Sequence, residues 1–122
     1  MISLLTLHKV TAQEVFDQVA SHLLTQKIKS RDEDLNCSYR GRSGTSCAAG
    51  CLISDSEYDE DMEGAPWLTL VHSNRVPEAH MSLIAELQKT HDNTPLGMWK
   101  LQLELVAKNR GLATTVLDKF YD

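Results

Sequence analysis

Cys37, Cys47 and Cys51 fall in one short stretch, from Cys37 to Asp55, which also holds three of the chain's six glycines. Thiolates are both soft metal ligands and nucleophiles, so three of them this close raise two chemistries, a zinc site and an activated thiol. For zinc, a fourth ligand has to come from His72, His80 or His91. The spacings, nine residues and then three between successive cysteines, match no C-x-x-C knuckle. Cys47 and Cys51 share a face only if the residues between them are helical. For a nucleophile, Cys47 follows Ser46 at a potential helix start, with His91 as base and Asp92 next to it. Adjacency in sequence does not by itself aim Asp92 at His91, and no Gly-x-Cys-x-Trp signature accompanies the thiol. Three is also an odd count in a chain read as lacking an export signal, which speaks against a disulfide scaffold. The reading is therefore no resident metal or cofactor, with Cys37, Cys47, Cys51 and His91 as the zinc candidates if one is held. Cys47 and Cys51 are expected reduced and buried.

Charge around this stretch is uneven. Asp55, Glu57, Asp59, Glu60, Asp61 and Glu63 put six carboxylates into nine residues, while Arg31, Arg40 and Arg42 flank the first cysteine. The acidic run lacks the alternating oxygen ligands and central glycine of an EF-hand, and it reads first as a solvated acidic surface. Gly41-x-x-Gly44 lacks the lysine and hydroxyl that complete a phosphate loop. Tyr39, Arg40 and Arg42, facing Asp55, Tyr58 and Asp59, form the candidate recognition surface, because tyrosine and arginine anchor many protein interfaces. The competing role for Arg40 is internal, fastening its own segment to the acidic turn, and that role is favoured. Trp67 and Trp99 read as core anchors.

The elements that position these residues follow from periodicity and caps. Thr11-Ala12-Gln13-Glu14 has capping-box form, and Val15, Phe16, Val19 and Leu23 then share a helical face, predicting a helix to about Lys27. Residues 29–36 are polar and read as a loop. Cys37–Arg40 and Thr45-Ser46, joined by a turn-rich Gly41-Arg42-Ser43-Gly44, predict a short β-hairpin. Ser54 or Asp55 caps a short acidic helix that Gly64-Ala65-Pro66 ends. Trp67–Val71 is too short to assign. Pro77 opens a second long helix running to about Thr90, and Thr94-Pro95 opens a third, closed by Gly111. A short turn capped by Thr114 or Thr115 follows. The fold class expected is α+β, mainly helical: three long helices with a small β-hairpin and one or two helical turns, in a single domain over 1–122. Phe16, Val19, Leu23, Leu52, Ile53, Ile84, Leu87, Trp99, Leu103 and Val106 are its predicted core.

Cys37-x-Tyr39-Arg40-Gly41, followed by Cys47-Ala48-x-Gly50-Cys51-Leu52-Ile53-x-Asp55-x-x-Tyr58, resembles a group of small uncharacterised proteins encoded by bacteria and their phages. Thr11–Phe16, Met62-Glu63-Gly64 and Leu87-Gln88-x-x-His91-Asp92 extend the resemblance across roughly residues 11 to 110. Ser54 departs from the proline expected there, which loosens the approach to the acidic segment. The resemblance identifies a kind of protein and transfers no activity; a phage- or mobile-element accessory role is a separate expectation, drawn from the lack of a complete catalytic constellation or cofactor fingerprint in the sequence.

A formal net charge of −5 speaks against a nucleic-acid binder. No apolar run approaches the ~20 residues of a membrane helix. The apolar Met1–Lys9 segment has no basic flank or cleavage site, so it is not read as a signal peptide, and the expected location is cytoplasmic. The preferred function is a non-catalytic protein-interaction factor acting on an unidentified protein partner. The alternative is a small Cys/His metal-binding or thiol-dependent protein.

Overall fold

Helix α1 (Ala12–Gln26) starts where its capping box puts it. Thr11 Oγ1 accepts from the Glu14 amide at 3.1 Å while Glu14 Oε1 accepts from the Thr11 amide at 3.0 Å. Lys27, in the left-handed conformation, closes the helix by donating its N–H to the Leu23 carbonyl. Three further helices follow in the computed structural model, which describes residues 1–120: α2 (Trp67–His72), α3 (Met81–Asn93) and α4 (Trp99–Asn109). Helix α3 packs against each of the other three. No helix among the described residues is long and apolar enough to cross a membrane.

Two helix starts lie later than the sequence suggests. Beyond Pro77 the chain first turns, with the Met81 amide donating to the Glu78 carbonyl at 3.0 Å and His80 at φ 60°. His80 Nε2 is meanwhile held 2.8 Å from the Val10 carbonyl, and this tie fixes the bend before α3. Thr94-Pro95 opens a single 3₁₀ turn, Leu96–Met98, instead of α4 itself. The Thr94 carbonyl accepts from Trp99 Nε1 at 2.9 Å, so it anchors the first residue of α4 through a side chain.

The expected β-hairpin does not form: the described residues contain no strand, and the fold is helical, not α+β. Only two isolated antiparallel bridges remain, Arg31 with Cys37 and Arg40 with Ser46. The reason lies in where the backbone hydrogen bonds go. The Tyr39 and Arg40 amides donate to the Glu63 carboxylate at 2.8 and 3.0 Å, and the Ser46 amide donates to Gln26 Oε1 at 3.0 Å. Side chains from other elements take the groups a ladder would have paired. Gly41 also serves a different end from the one its turn-rich context suggests. A methyl there would come within 2.6 Å of the Arg31 nitrogen and the Ser30 and Thr45 hydroxyls, so glycine permits close chain crossing.

The acidic helix is likewise absent. A turn at Ser54–Tyr58 leads into one 3₁₀ turn, Glu60–Met62, capped by Asp59, which accepts from the Asp61 amide. Two of the six carboxylates point inward instead of solvating a helix. Glu63 grips residues 39 and 40, and Glu57 accepts the Leu4, Leu5 and Ser54 amides, each at 2.9 Å, tying down the N-terminal arm.

All ten predicted core residues are buried. Leu7 from the arm, Tyr39, Met62, Trp67 and Leu117 join the same cluster. The core thus reaches from α1 through the cysteine segment to the final 3₁₀ turn, Thr115–Lys119.

Candidate functional site

Gln88, His91 and Asp92 lie at i, i+3 and i+4 on α3, so one face of its last turns presents an amide, an imidazole and a carboxylate together. Asp92 Oδ1 lies 2.7 Å from His91 Nδ1 and accepts from Gln88 Nε2 at 2.8 Å. Gln88 Oε1 accepts the Ala49 amide at 2.9 Å, and His91 Nε2 accepts the Ser30 amide at 2.9 Å. The last contact fixes the tautomer from its partner: an amide can only donate, so Nε2 is bare and the ring proton sits on Nδ1, facing Asp92. His91 is fully buried, its ring centre 5.5 Å from that of Trp99 and tilted 35° to it. Asp92 thus does orient His91, which sequence adjacency alone could not establish, but both ring nitrogens are occupied and neither is free to act as a base.

Among the described residues, Cys37 Sγ, a His91 nitrogen and an Asp92 oxygen lie within 4.8 Å of one another, near enough to ligate an ion. The donor set fits a metal poorly. Coordination through Nδ1 strips its proton while Nε2 still faces an N–H donor, and coordination through Nε2 breaks the Ser30 bond. Of the four sequence-derived zinc candidates, only Cys37 and His91 meet. Cys47 is buried and accepts the Gly50 amide at 3.3 Å; the Cys51 thiol donates to the Ala48 carbonyl at 3.1 Å. Burial pushes the Cys47 thiol far above its ordinary range and the Cys51 thiol to about 12. Cys37 is exposed, but partial burial and then the Asp92 charge push its pKa up against the opposing Arg31 and Lys29 cations. Burial thus disfavours the thiolate form at all three.

The residues proposed from sequence as a recognition surface divide in two. Tyr39, only 4% exposed, donates its hydroxyl to the Ala65 carbonyl at 2.5 Å and its ring lies 6.3 Å from Trp67. Arg40 reaches across the cysteine segment. Its guanidinium donates to the carbonyls of Gly50 at 2.9 Å and Ile53 at 2.6 Å, to Ser46 Oγ at 3.2 Å and to Asp55 at 3.2 Å. It also lies over the Tyr58 ring, 5.2 Å from its centre, and the Tyr58 hydroxyl donates to Glu63 at 2.6 Å. Tyr39, Arg40 and Tyr58 are therefore one internal fastening around Glu63, with the fully exposed Asp55 at its edge, touching Arg40 alone. Asp59 stands apart, paired with Arg75 at 3.4 Å. Arg42 stands apart too: it is exposed and makes no ion pair among the described residues.

Two structural roles were invisible from residue type alone, Glu63 as a backbone clamp and Ser30 as the group that sets the His91 tautomer. The i, i+4 spacing of Gln88 and Asp92 was the available signal for the α3 cluster. A cleft of about 680 Å³ opens beside this cluster, lined by Cys37, Tyr39, Glu63, Trp67, Asp92 and Arg110 among others. The whole describes a small helical protein whose reactive side chains act as crossbars between chain segments. Comparison with protein families, with characterised proteins and with solved structures finds no match to this chain.

Proposed function

We propose that this protein is a non-catalytic interaction factor, a phage- or mobile-element accessory protein that acts in the cytoplasm by binding another protein. The observation carrying this reading is the commitment of its only thiol–imidazole–carboxylate grouping among the described residues: His91 has one nitrogen on Ser30 and the other on Asp92. A catalyst needs at least one of these groups held ready for substrate. Here the imidazole and the carboxylate are committed to the fold, and the exposed Cys37 thiol is left without a free base beside it.

A second reading, a small metal-binding protein centred on Cys37, His91 and Asp92, rests on their mutual approach within 4.8 Å. It ranks lower because a metal has to displace an internal hydrogen bond before it binds. One preparation tests both. The purified full chain is assayed for bound zinc with and without chelator, its thiols are titrated natively, and in-cell cross-linking is run on wild type and Cys37→Ser. Substoichiometric zinc, a chelator-insensitive melting curve, fast modification of Cys37 alone and a cross-linked protein partner kept by Cys37→Ser fit an interaction factor. One equivalent of zinc whose removal unfolds the chain, or a partner or turnover lost with Cys37→Ser, overturns it.

A further inference from the structure

Ile28 beyond the end of α1, Leu35 in the polar loop and Leu96 in the turn before α4 lie far apart in sequence yet line one open groove of about 700 Å³. They are 50%, 59% and 45% exposed. Lys29, Arg31 and Arg42 line the same groove, and no carboxylate among the described residues does. These three cations make no ion pair among the described residues, whereas Arg40, Arg75 and Arg110 each have one. Lys29 Nζ does donate to the Asp92 carbonyl at 3.2 Å, but in a chain of net charge −5 a groove whose charged lining is cationic and without a carboxylate partner is out of keeping with the rest of the surface.

Leu35 is held there at a conformational cost. It sits at φ 68°, a left-handed conformation that leucine rarely adopts. Asp32 enforces it: its carboxylate accepts the amides of Asp34 at 2.9 Å and Asn36 at 3.0 Å, while its own amide donates to the Asn36 carbonyl at 2.8 Å. The loop uses the Asp32 carboxylate, in hydrogen bonds at the surface, to hold an apolar side chain out in water. Strain of this kind persists where surrounding structure over-determines it, and it is more frequent at binding sites.

We propose that this groove docks an acidic, leucine-type segment of the partner protein, with carboxylates on Lys29, Arg31 and Arg42 and apolar side chains against Ile28, Leu35 and Leu96. The inference rests on the interaction reading above and adds the site and the partner's chemistry. Charge complementarity selects an acidic occupant, and the apolar lining requires side chains between the charges. A lipid surface matches the same chemistry less well, because a bilayer meets a protruding surface and this one is concave. A nucleic acid would engage the three cations, but a net charge of −5 repels its phosphates and it matches three exposed aliphatic side chains less well than apolar side chains do.

The test uses the full chain and a short synthetic peptide of glutamate and leucine at helical spacing, followed by two-dimensional NMR. Two control peptides replace glutamate by lysine or leucine by serine. The expected result is shifts at Ile28, Leu35 and Leu96 with the glutamate–leucine peptide, and little with either control. Affinity falls about tenfold or more in Arg31→Glu/Arg42→Glu and in Leu35→Ser, and it weakens with added salt. Melting curves confirm that both variants are folded. Equal binding of either control, shifts confined to another face, or tighter binding of phosphatidylserine vesicles or single-stranded DNA overturns the proposal. So does concentration-dependent self-association abolished by Arg42→Glu, which makes the occupant a second copy. If the cross-linked partner is kept by both variants, the groove assignment fails and the interaction reading stands; if no protein partner exists, that reading fails with it.

Discussion

Arg40 and Arg42 are two residues apart and end in opposite circumstances. Arg40 is bound to two carbonyls, a hydroxyl and a carboxylate, with an aromatic ring against its plane. Arg42 is exposed, with no ion pair among the described residues, in a groove shared with Lys29 and Arg31. The first is a fastener and the second is spare charge on a surface. The difference is set by the partners the fold brings within reach of each guanidinium, since a five-donor fork is filled only where several acceptors converge. The side of the molecule richest in chemical side chains is thus the side where they are used up. The basic groove holds plainer residues with no ion pair among the described residues; Lys29 Nζ donates to the Asp92 carbonyl at 3.2 Å, and Arg31 and Arg42 are exposed.

The sharpest way to break this contrast is to disturb the fastened side at its tightest point. A methyl on Gly50 would overlap the Tyr39 carbonyl oxygen, a backbone atom that cannot swing aside, and it would press on Cys47 Sγ. Gly50→Ala is expected to cost on the order of 3 kcal/mol or more, read as a lowered denaturation midpoint or a failure to fold. Arg40→Ala comes next, at about 2–3 kcal/mol, because it leaves the carbonyls of Gly50 and Ile53 without their charged donor. Asp55→Ala, by contrast, should scarcely register. The Asp55 side chain is fully solvated, and its pairing with Arg40 is the part of the network that water replaces. If Asp55→Ala cost as much as Arg40→Ala, the ion pair and not the carbonyls would be holding the segment.

How much of this was legible in the residues depends on how local the determinant is. The α1 capping box and the core stripes lie within a few residues of one another, so spacing alone exposed them. The hairpin misled because its composition is right for a hairpin and its hydrogen bonds are not: Glu63, more than twenty residues away, takes the amides of Tyr39 and Arg40. The acidic run misled for the same reason, since which of six carboxylates turns inward is decided by the N-terminal arm and the cysteine segment. Leu35 lies in a stretch that reads from composition simply as a polar loop. Its meaning needed Ile28 and Leu96 beside it, and no short-range pattern places those three together.

The arm supplies a pH-dependent test of the fastened side. Burial alone would raise the Glu57 carboxyl, but the amides of Ser54, Leu4 and Leu5 outweigh it and hold the group below its ordinary value of 4.5. A carboxyl depressed in the folded state contributes stability that is fully present above 4.5 and lost as pH falls through the lowered value. Amide exchange at Leu4 and Leu5, corrected for intrinsic rate, should accelerate on acidification below 4.5 in the wild type. In Glu57→Gln it should be fast at neutral pH and change little on acidification. Identical profiles in the two proteins would mean that the arm is held by Leu7 and its packing instead.

The smallest expected effect is the most discriminating. Arg42→Glu reverses a charge two residues from Arg40, yet it should move stability by no more than about 0.5 kcal/mol, as for an exposed side chain without a specific partner. The backbone of Arg42 is used, its amide donating to the Arg31 carbonyl at 2.9 Å and its carbonyl accepting from Thr45 Oγ1 at 2.8 Å, but a side-chain substitution leaves both intact. Its charge faces Lys29 and Arg31, so reversal replaces repulsion by attraction and can raise the melting temperature slightly. A gain in stability joined to a loss of partner binding is the signature of a residue kept for recognition at some expense to the fold. A clear drop in stability would put Arg42 with Arg40 as a second fastener, and the two sides of the molecule would no longer differ in kind.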